Sequence, residues 1–120
     1  MSTIKRFEDI QAWQRARDVT RVIYVVTQRN GFERDYALRD QIRRASVSIM
    51  ANIAEGFARR SDKDFAYFLN ISRSSVAEVQ SHLYVALDQG YVDESEFREI
   101  YAKLEETSKM IFALARHLFS

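Results

Sequence analysis

The chain has 120 residues, 47% hydrophobic and 29% charged, which is a globular composition and not a disordered one. It contains no Cys, which excludes disulfides, thiolate metal sites, iron–sulfur clusters and cysteine nucleophiles. No Pro and only three Gly leave too few turn residues for an all-β fold.

The N-terminal stretch from Met1 to Arg6 has no apolar run behind it, so no signal peptide is expected. The first helix is expected at about residues 9-29, from Ala12, Ala16, Val19, Ile23 and Val26, with Asn30-Gly31 as its terminator. The cluster Val22 to Val26 is far too short to span a bilayer, so a cytoplasmic protein with no membrane partner is expected. The second helix, 35-59, carries Leu38, Ile42, Ala45, Ile49, Asn52 and Gly56 on one stripe. The third, 62-89, carries Phe65, Leu69, Ser72, Val76, Val79, Leu83 and Ala86, and Ser61 with Asp64 marks its start. Gly90 closes it. The fourth, 93-118, begins on Asp93 with Glu96 three residues on, a capping box with Asp in the Ser/Thr role. Its stripe is Ile100, Leu104, Thr107, Ile111, Leu114 and Leu118. Four long amphipathic helices and short loops predict a single all-α domain over 1-120, an antiparallel up-down-up-down four-helix bundle.

Several helices carry large apolar residues beside the core stripe: Trp13 and Tyr24 on the first, Phe68 and Ile71 on the third, Tyr101, Phe112 and Phe119 on the fourth. One stripe fills a small bundle, so these flanks predict a homo-oligomer. Asn52 and Gly56 interrupt the second stripe. A Gly inside a helix costs up to about 1 kcal/mol against Ala, so it implies close backbone approach or the end of the helix. A polar strip (Gln41, Arg44, Ser48, Glu55) has a counterpart in Ser75, Glu78 and His82. A turn near residue 61 predicts antiparallel partners whose numbers sum to about 122. On that register Arg44 forms an ion pair with Glu78, and Asn52 meets Asn70.

The net charge of +1 hides an asymmetry: residues 1–60 hold twelve Lys/Arg and seven Asp/Glu, and residues 61–120 hold six and ten. The split fits a basic face for nucleic acid or complementary subunit surfaces. The candidate nucleic-acid contacts are Arg15, Arg17 and Arg21 on the first helix, Arg39 and Arg43 on the second, and Arg59, Arg60 and Lys63 at the second turn. With Arg21 level with Arg43 they form one strip. Asp18 and Asp40 interrupt it, and no base-stacking aromatic motif accompanies it.

The sequence offers no catalytic, cofactor or metal residue. His82 follows Glu78 by four, where di-iron bundles use Glu-x-x-His on two helices. No serine sits on a Gly-x-Ser-x-Gly elbow, and no two glycines are close enough for a phosphate loop. An enzyme, a cofactor and a small-molecule substrate are therefore not expected.

The run Leu38-Arg39-Asp40-Gln41-Ile42-Arg43-Arg44-Ala45, with Asn52-Ile53-Ala54-Glu55-Gly56 behind it, resembles the signature of the four-helix-bundle proteins encoded in 23S rRNA intervening sequences. The opening Phe7-Glu8-Asp9-Ile10-Gln11-Ala12-Trp13 and the stretch from Phe65 to Glu78 resemble it too, so the likeness covers nearly the whole chain. Family members usually carry Pro after the first helix and before the Asn-Ile-Ala-Glu-Gly block, where this chain has Phe32 and Met50. The resemblance implies an antiparallel bundle that assembles as a homopentamer, with no established catalytic activity. A further likeness is to the accessory variability proteins of diversity-generating retroelements, basic pentamers that bind nucleic acid. On this chain the signature falls on Gln41, Arg43, Arg44, Asn52, Glu55, Gly56, Ser75 and Glu78. All but Arg43, already among the nucleic-acid candidates, are expected to be structural or interfacial.

Three functions follow as expectations. The first is a non-enzymatic homopentamer that binds RNA, DNA or a nucleoprotein through the Arg-rich half. The second is an assembly or adaptor module whose basic residues pair with carboxylates or lie between subunits. The third is a small-molecule or catalytic bundle around His82 and Glu78.

Overall fold

The structure is a computed structural model and describes residues 4–29 and 31–119. Four helices dominate it: α1 (Gln11–Val26), α2 (Tyr36–Phe57), α3 (Asp62–Asp88) and α4 (Glu94–His117). Short 3-10 turns at Phe7–Asp9 and Phe32–Arg34 precede α1 and α2, and no strand occurs among the described residues. The protein is therefore all-α.

Three of the four helices start where a side chain takes over an orphan backbone donor. The Asp35 carboxylate accepts from Leu38 N, Ser61 Oγ from Asp64 N, and Asp93 with Glu96 closes a full capping box. The start of α1 has no side-chain cap. Its entry is fixed by Gln14, which donates to the Glu8 carbonyl at 2.8 Å, and by an edge-on Phe7–Trp13 contact. Asn30 lies outside the described residues; Gly31 follows with φ +86° and opens the second 3-10 turn. Gly90, at φ +74°, ends α3 in the left-handed conformation that closes helices.

The apolar stripes become the core. Ile23, Ile42, Ile49, Leu69, Val79, Leu83, Leu104 and Ile111 are completely buried. Every helix packs on two others, in the cycle α1, α2, α3, α4 and back to α1. The body measures 45 × 23 × 19 Å, one helix long and two helices across. The basic half of the sequence thus lies on one side, as the α1/α2 face, and the acidic half on the other, as the α3/α4 face.

The α2/α3 seam is the tightest. Ser72, fully buried, donates to the Ile49 carbonyl at 2.7 Å, and Ser48 and Ser75 share a hydrogen bond of 2.9 Å. Small serines let the two backbones close. Gly56 closes them further: a Cβ there would stand 2.8 Å from Phe68 Cβ and 2.9 Å from Phe65 Cδ1. Both explanations for this glycine hold, because α2 also ends one residue later at Phe57.

The Arg44–Glu78 ion pair does not form. Glu78 faces His82 on its own helix at 3.4 Å, and Arg44 is exposed with no ion pair among the described residues. The contacts Ser72–Ile49, Ser75–Ser48 and Phe65–Gly56 follow the expected register closely. The register brings the two residues level, but both stand on outer flanks, where water and a same-helix partner compete successfully. Asn52 does not meet Asn70 either. Its amide donates to the carbonyl and hydroxyl of Ser48, each at 2.9 Å, and Asn70 is exposed.

The far end is held by Tyr91. Its ring stacks on the buried Phe32 at 4.9 Å, and its hydroxyl donates to Asp35 at 3.0 Å. One carboxylate thus caps α2 and anchors the α3–α4 connection. That bond to a carboxylate raises the Tyr91 pKa above the ordinary phenol value. No buried side-chain polar atom lacks a partner among the described residues.

Candidate interaction surfaces

The basic residues do not form one strip. Arg15 and Arg21 point to the α4 side of α1: Arg15 pairs with Glu106 at 3.1 Å and Arg21 with Asp18 at 3.3 Å. Arg21 also borders a slot of about 210 Å³ between α1 and α4, floored by Val22, Val25 and Ile100 and bridged by an Arg29–Glu96 ion pair. Arg17 instead lies over the Trp13 ring of its own helix. The reason is partly angular: residues 15 and 17 differ by about 200° around a helix and face apart, whereas 17 and 21 differ by about 40° and are parted by their contacts, Arg21 reaching Asp18.

The α1/α2 face holds a pattern the sequence analysis missed. Arg17 lies over the Trp13 ring (5.9 Å), Arg43 over Tyr24 (4.6 Å) and Arg39 over Tyr36 (4.8 Å), within the range of cation–π attraction. Two of these pairs are readable, because Trp13–Arg17 is i,i+4 and Tyr36–Arg39 is i,i+3. Arg43–Tyr24 crosses between helices and is not. The sequence predicts no base-stacking aromatic motif beside the basic strip; the structure does set single rings against three of the arginines. Arg43 also donates from Nε to the buried Thr27 hydroxyl at 2.8 Å, which fixes its position.

Around the α2–α3 turn, Arg59 pairs with Glu55 at 2.9 Å and covers the Phe68 ring at 4.6 Å. Arg60 and Lys63 are exposed and make no ion pair among the described residues. Arg39 is bonded to Asp40 at 3.0 Å. Carboxylates thus engage Arg15, Arg21, Arg39 and Arg59, whereas Arg17, Arg43, Arg44, Arg60 and Lys63 have no carboxylate partner among the described residues. Of the other signature residues, Gln41 is exposed, Ser75 is buried in the seam, and Asn52 is half-buried beside it.

The opposite face is built on aromatic rings. Tyr84 contacts Phe97 and Tyr101, with ring centroids 4.8 and 5.9 Å apart. Partial burial raises the Tyr101 pKa. Further along, Arg73 lies over Phe112 at 4.7 Å. Tyr84, Phe112 and Phe119 remain 51%, 45% and 64% exposed. Of the flanking residues named from the sequence, Trp13, Phe68, Ile71 and Tyr101 are half-buried, while Tyr24, Phe112 and Phe119 are exposed.

His82 and Glu78 sit on the outer α2/α3 surface, and the principal surface hollows are lined by other residues. No group of three or more His, Asp or Glu able to hold a metal ion occurs among the described residues. Among them, no helix is long and apolar enough to cross a membrane.

The family model described as 23S rRNA-intervening sequence protein matches residues 8–113. The chain belongs to that family. No curated protein matches it. Among solved structures it is similar to a protein with unknown function from the S23 ribosomal protein family of Bacteroides thetaiotaomicron VPI-5482. The TM-score is 0.73 at 21% identity, covering 87% of this chain and 94% of that one. At that identity the likeness carries the fold.

Proposed function

We propose that this member of the 23S rRNA-intervening sequence protein family is a non-catalytic subunit that assembles with its own copies and carries nucleic acid on its α1/α2 face. The descending pairs along the α2/α3 seam support an antiparallel up-down-up-down bundle. The family resemblance supports five copies. The α3/α4 face supplies the association: rings as exposed as Tyr84, Phe112 and Phe119 bury large apolar area on contact.

The observation that carries nucleic-acid binding is that five of the candidate and signature cations of α1, α2 and the second turn, Arg17, Arg43, Arg44, Arg60 and Lys63, have no carboxylate partner among the described residues. Arginine without an acidic partner is available to phosphate, and repetition round an assembly multiplies a weak site. A mobility-shift assay with RNA and DNA across a salt series tests it. Binding whose affinity falls steeply with salt supports it; no binding at low salt removes it.

A second reading, assembly alone, is favoured by the carboxylate pairing of Arg15, Arg21, Arg39 and Arg59. It predicts an oligomer that leaves nucleic acid unshifted.

A further inference from the structure

We infer that the α1/α2 face takes single-stranded nucleic acid in preference to duplex, stacking unpaired bases on its guanidinium-capped rings. The inference rests on the nucleic-acid reading above and specifies its ligand.

Trp13, Arg17 and Tyr24 recur at four and seven residues, one stripe of α1. Tyr36, Arg39 and Arg43 recur at three and four, one stripe of α2. Two contacts lay these stripes side by side: Thr20 Oγ1 donates to the Ser46 carbonyl at 3.1 Å, and Arg43 covers Tyr24. The result is three pairs, each an aromatic ring with a guanidinium over it; Tyr24 and Tyr36 are exposed, whereas Trp13 is half-buried and also packed edge-on by Phe7. Trp13 to Tyr24 spans three helical turns, about 16 Å, room for a few nucleotides. Tyr24 and Tyr36 are 38% and 63% exposed, so a base has access.

The chemistry separates the two forms of nucleic acid. Duplex binding depends chiefly on phosphate neutralisation. Here that capacity is reduced: Arg39 is bonded to Asp40, and Arg43 spends its Nε–H on Thr27. The exposed rings Tyr24 and Tyr36 still offer area for stacking, which serves only bases whose faces are open. A pair of parallel helices about 20 Å wide is also too broad for the major groove, which is about 12 Å across.

The test is fluorescence anisotropy on the full chain. The probes are a labelled single strand of about 12 nucleotides, as RNA and as DNA, and the same strands annealed to their complements, at about 50 and 200 mM salt. The single strands should bind about tenfold more tightly than the duplexes. Tyr24→Leu with Tyr36→Leu removes two rings but no charge. Because both residues are exposed, the circular dichroism spectrum should be unchanged, which serves as the folding control. Single-strand affinity should fall about tenfold and duplex affinity should hold. Equal or tighter duplex binding, or a folded double variant with unchanged single-strand affinity, overturns the inference while leaving nucleic-acid binding intact. No binding of any probe overturns both.

Discussion

Replacing Gly56 by Ala tests the close approach of α2 to α3. The new Cβ would stand 2.8 Å from Phe68 Cβ, 2.9 Å from Phe65 Cδ1 and 3.2 Å from the Phe65 carbonyl oxygen. Neither Phe68 Cβ nor the carbonyl can swing away, because both move only with the α3 backbone. Alanine gains helix propensity, at most about 1 kcal/mol, and less at the penultimate residue of a helix. Overpacking typically costs about 1–3 kcal/mol, and contacts this short lie toward its upper end. The net expectation is destabilisation of about 2 kcal/mol, or roughly 6–12 °C in Tm for a domain of this size. Gly90→Ala is the comparison: nothing lies within 4 Å of the added Cβ, and only the left-handed backbone opposes it. That penalty is about 1 kcal/mol. Differential scanning calorimetry measures both. If Gly56→Ala melts at or above the wild type, the account of the α2/α3 seam is wrong.

Other outcomes follow from single contacts. Ser72→Ala removes the buried bond to the Ile49 carbonyl and should lower the urea midpoint by an amount worth about 1 kcal/mol. Arg29→Gln breaks the partly exposed α1/α4 ion pair to Glu96; a loss below about 1 kcal/mol, shrinking with added salt, is expected from melting curves. The raised Tyr91 pKa predicts a pH dependence. The phenol's contribution is complete below about pH 10, where the unfolded side chain is still protonated, and is lost as pH rises through the higher folded value. Wild type should therefore lose stability relative to Tyr91→Phe as pH rises across that window, and not below it. Asp35→Asn should bring the Tyr91 titration back toward the ordinary phenol value in an ultraviolet absorbance titration.

The core was legible because it obeys one rule. The stripes Ala12 to Val26 and Phe65 to Ala86 repeat at three and four residues and every member is buried; the fourth is buried from Ile100 to Ile111, with Leu114 and Leu118 half-buried, as is Asn52 on the second. Even Ser72 and Thr107, polar residues on those stripes, are buried, because each bonds a nearby carbonyl. Periodicity fixes which face a residue occupies but not which neighbour its side chain chooses. That is why the α2/α3 register could be read while the Arg44–Glu78 pair could not. The basic strip failed for a related reason: counting arginines along a helix ignores the 100° between successive residues, and Arg15 and Arg17 turn to different neighbours. The Tyr24–Arg43 stack needs two helices docked before it exists. Phe32 and Tyr91 lie in connections, where no period marks them as partners.

The central claim is that the exposed rings of the α3/α4 face join copies of this chain. Light scattering coupled to size-exclusion chromatography measures this directly. The account predicts a mass several times the 14.1 kDa of one chain, falling to one chain when Tyr84 and Phe112 are both replaced by Ser. A wild-type mass of one chain at micromolar concentration would contradict it.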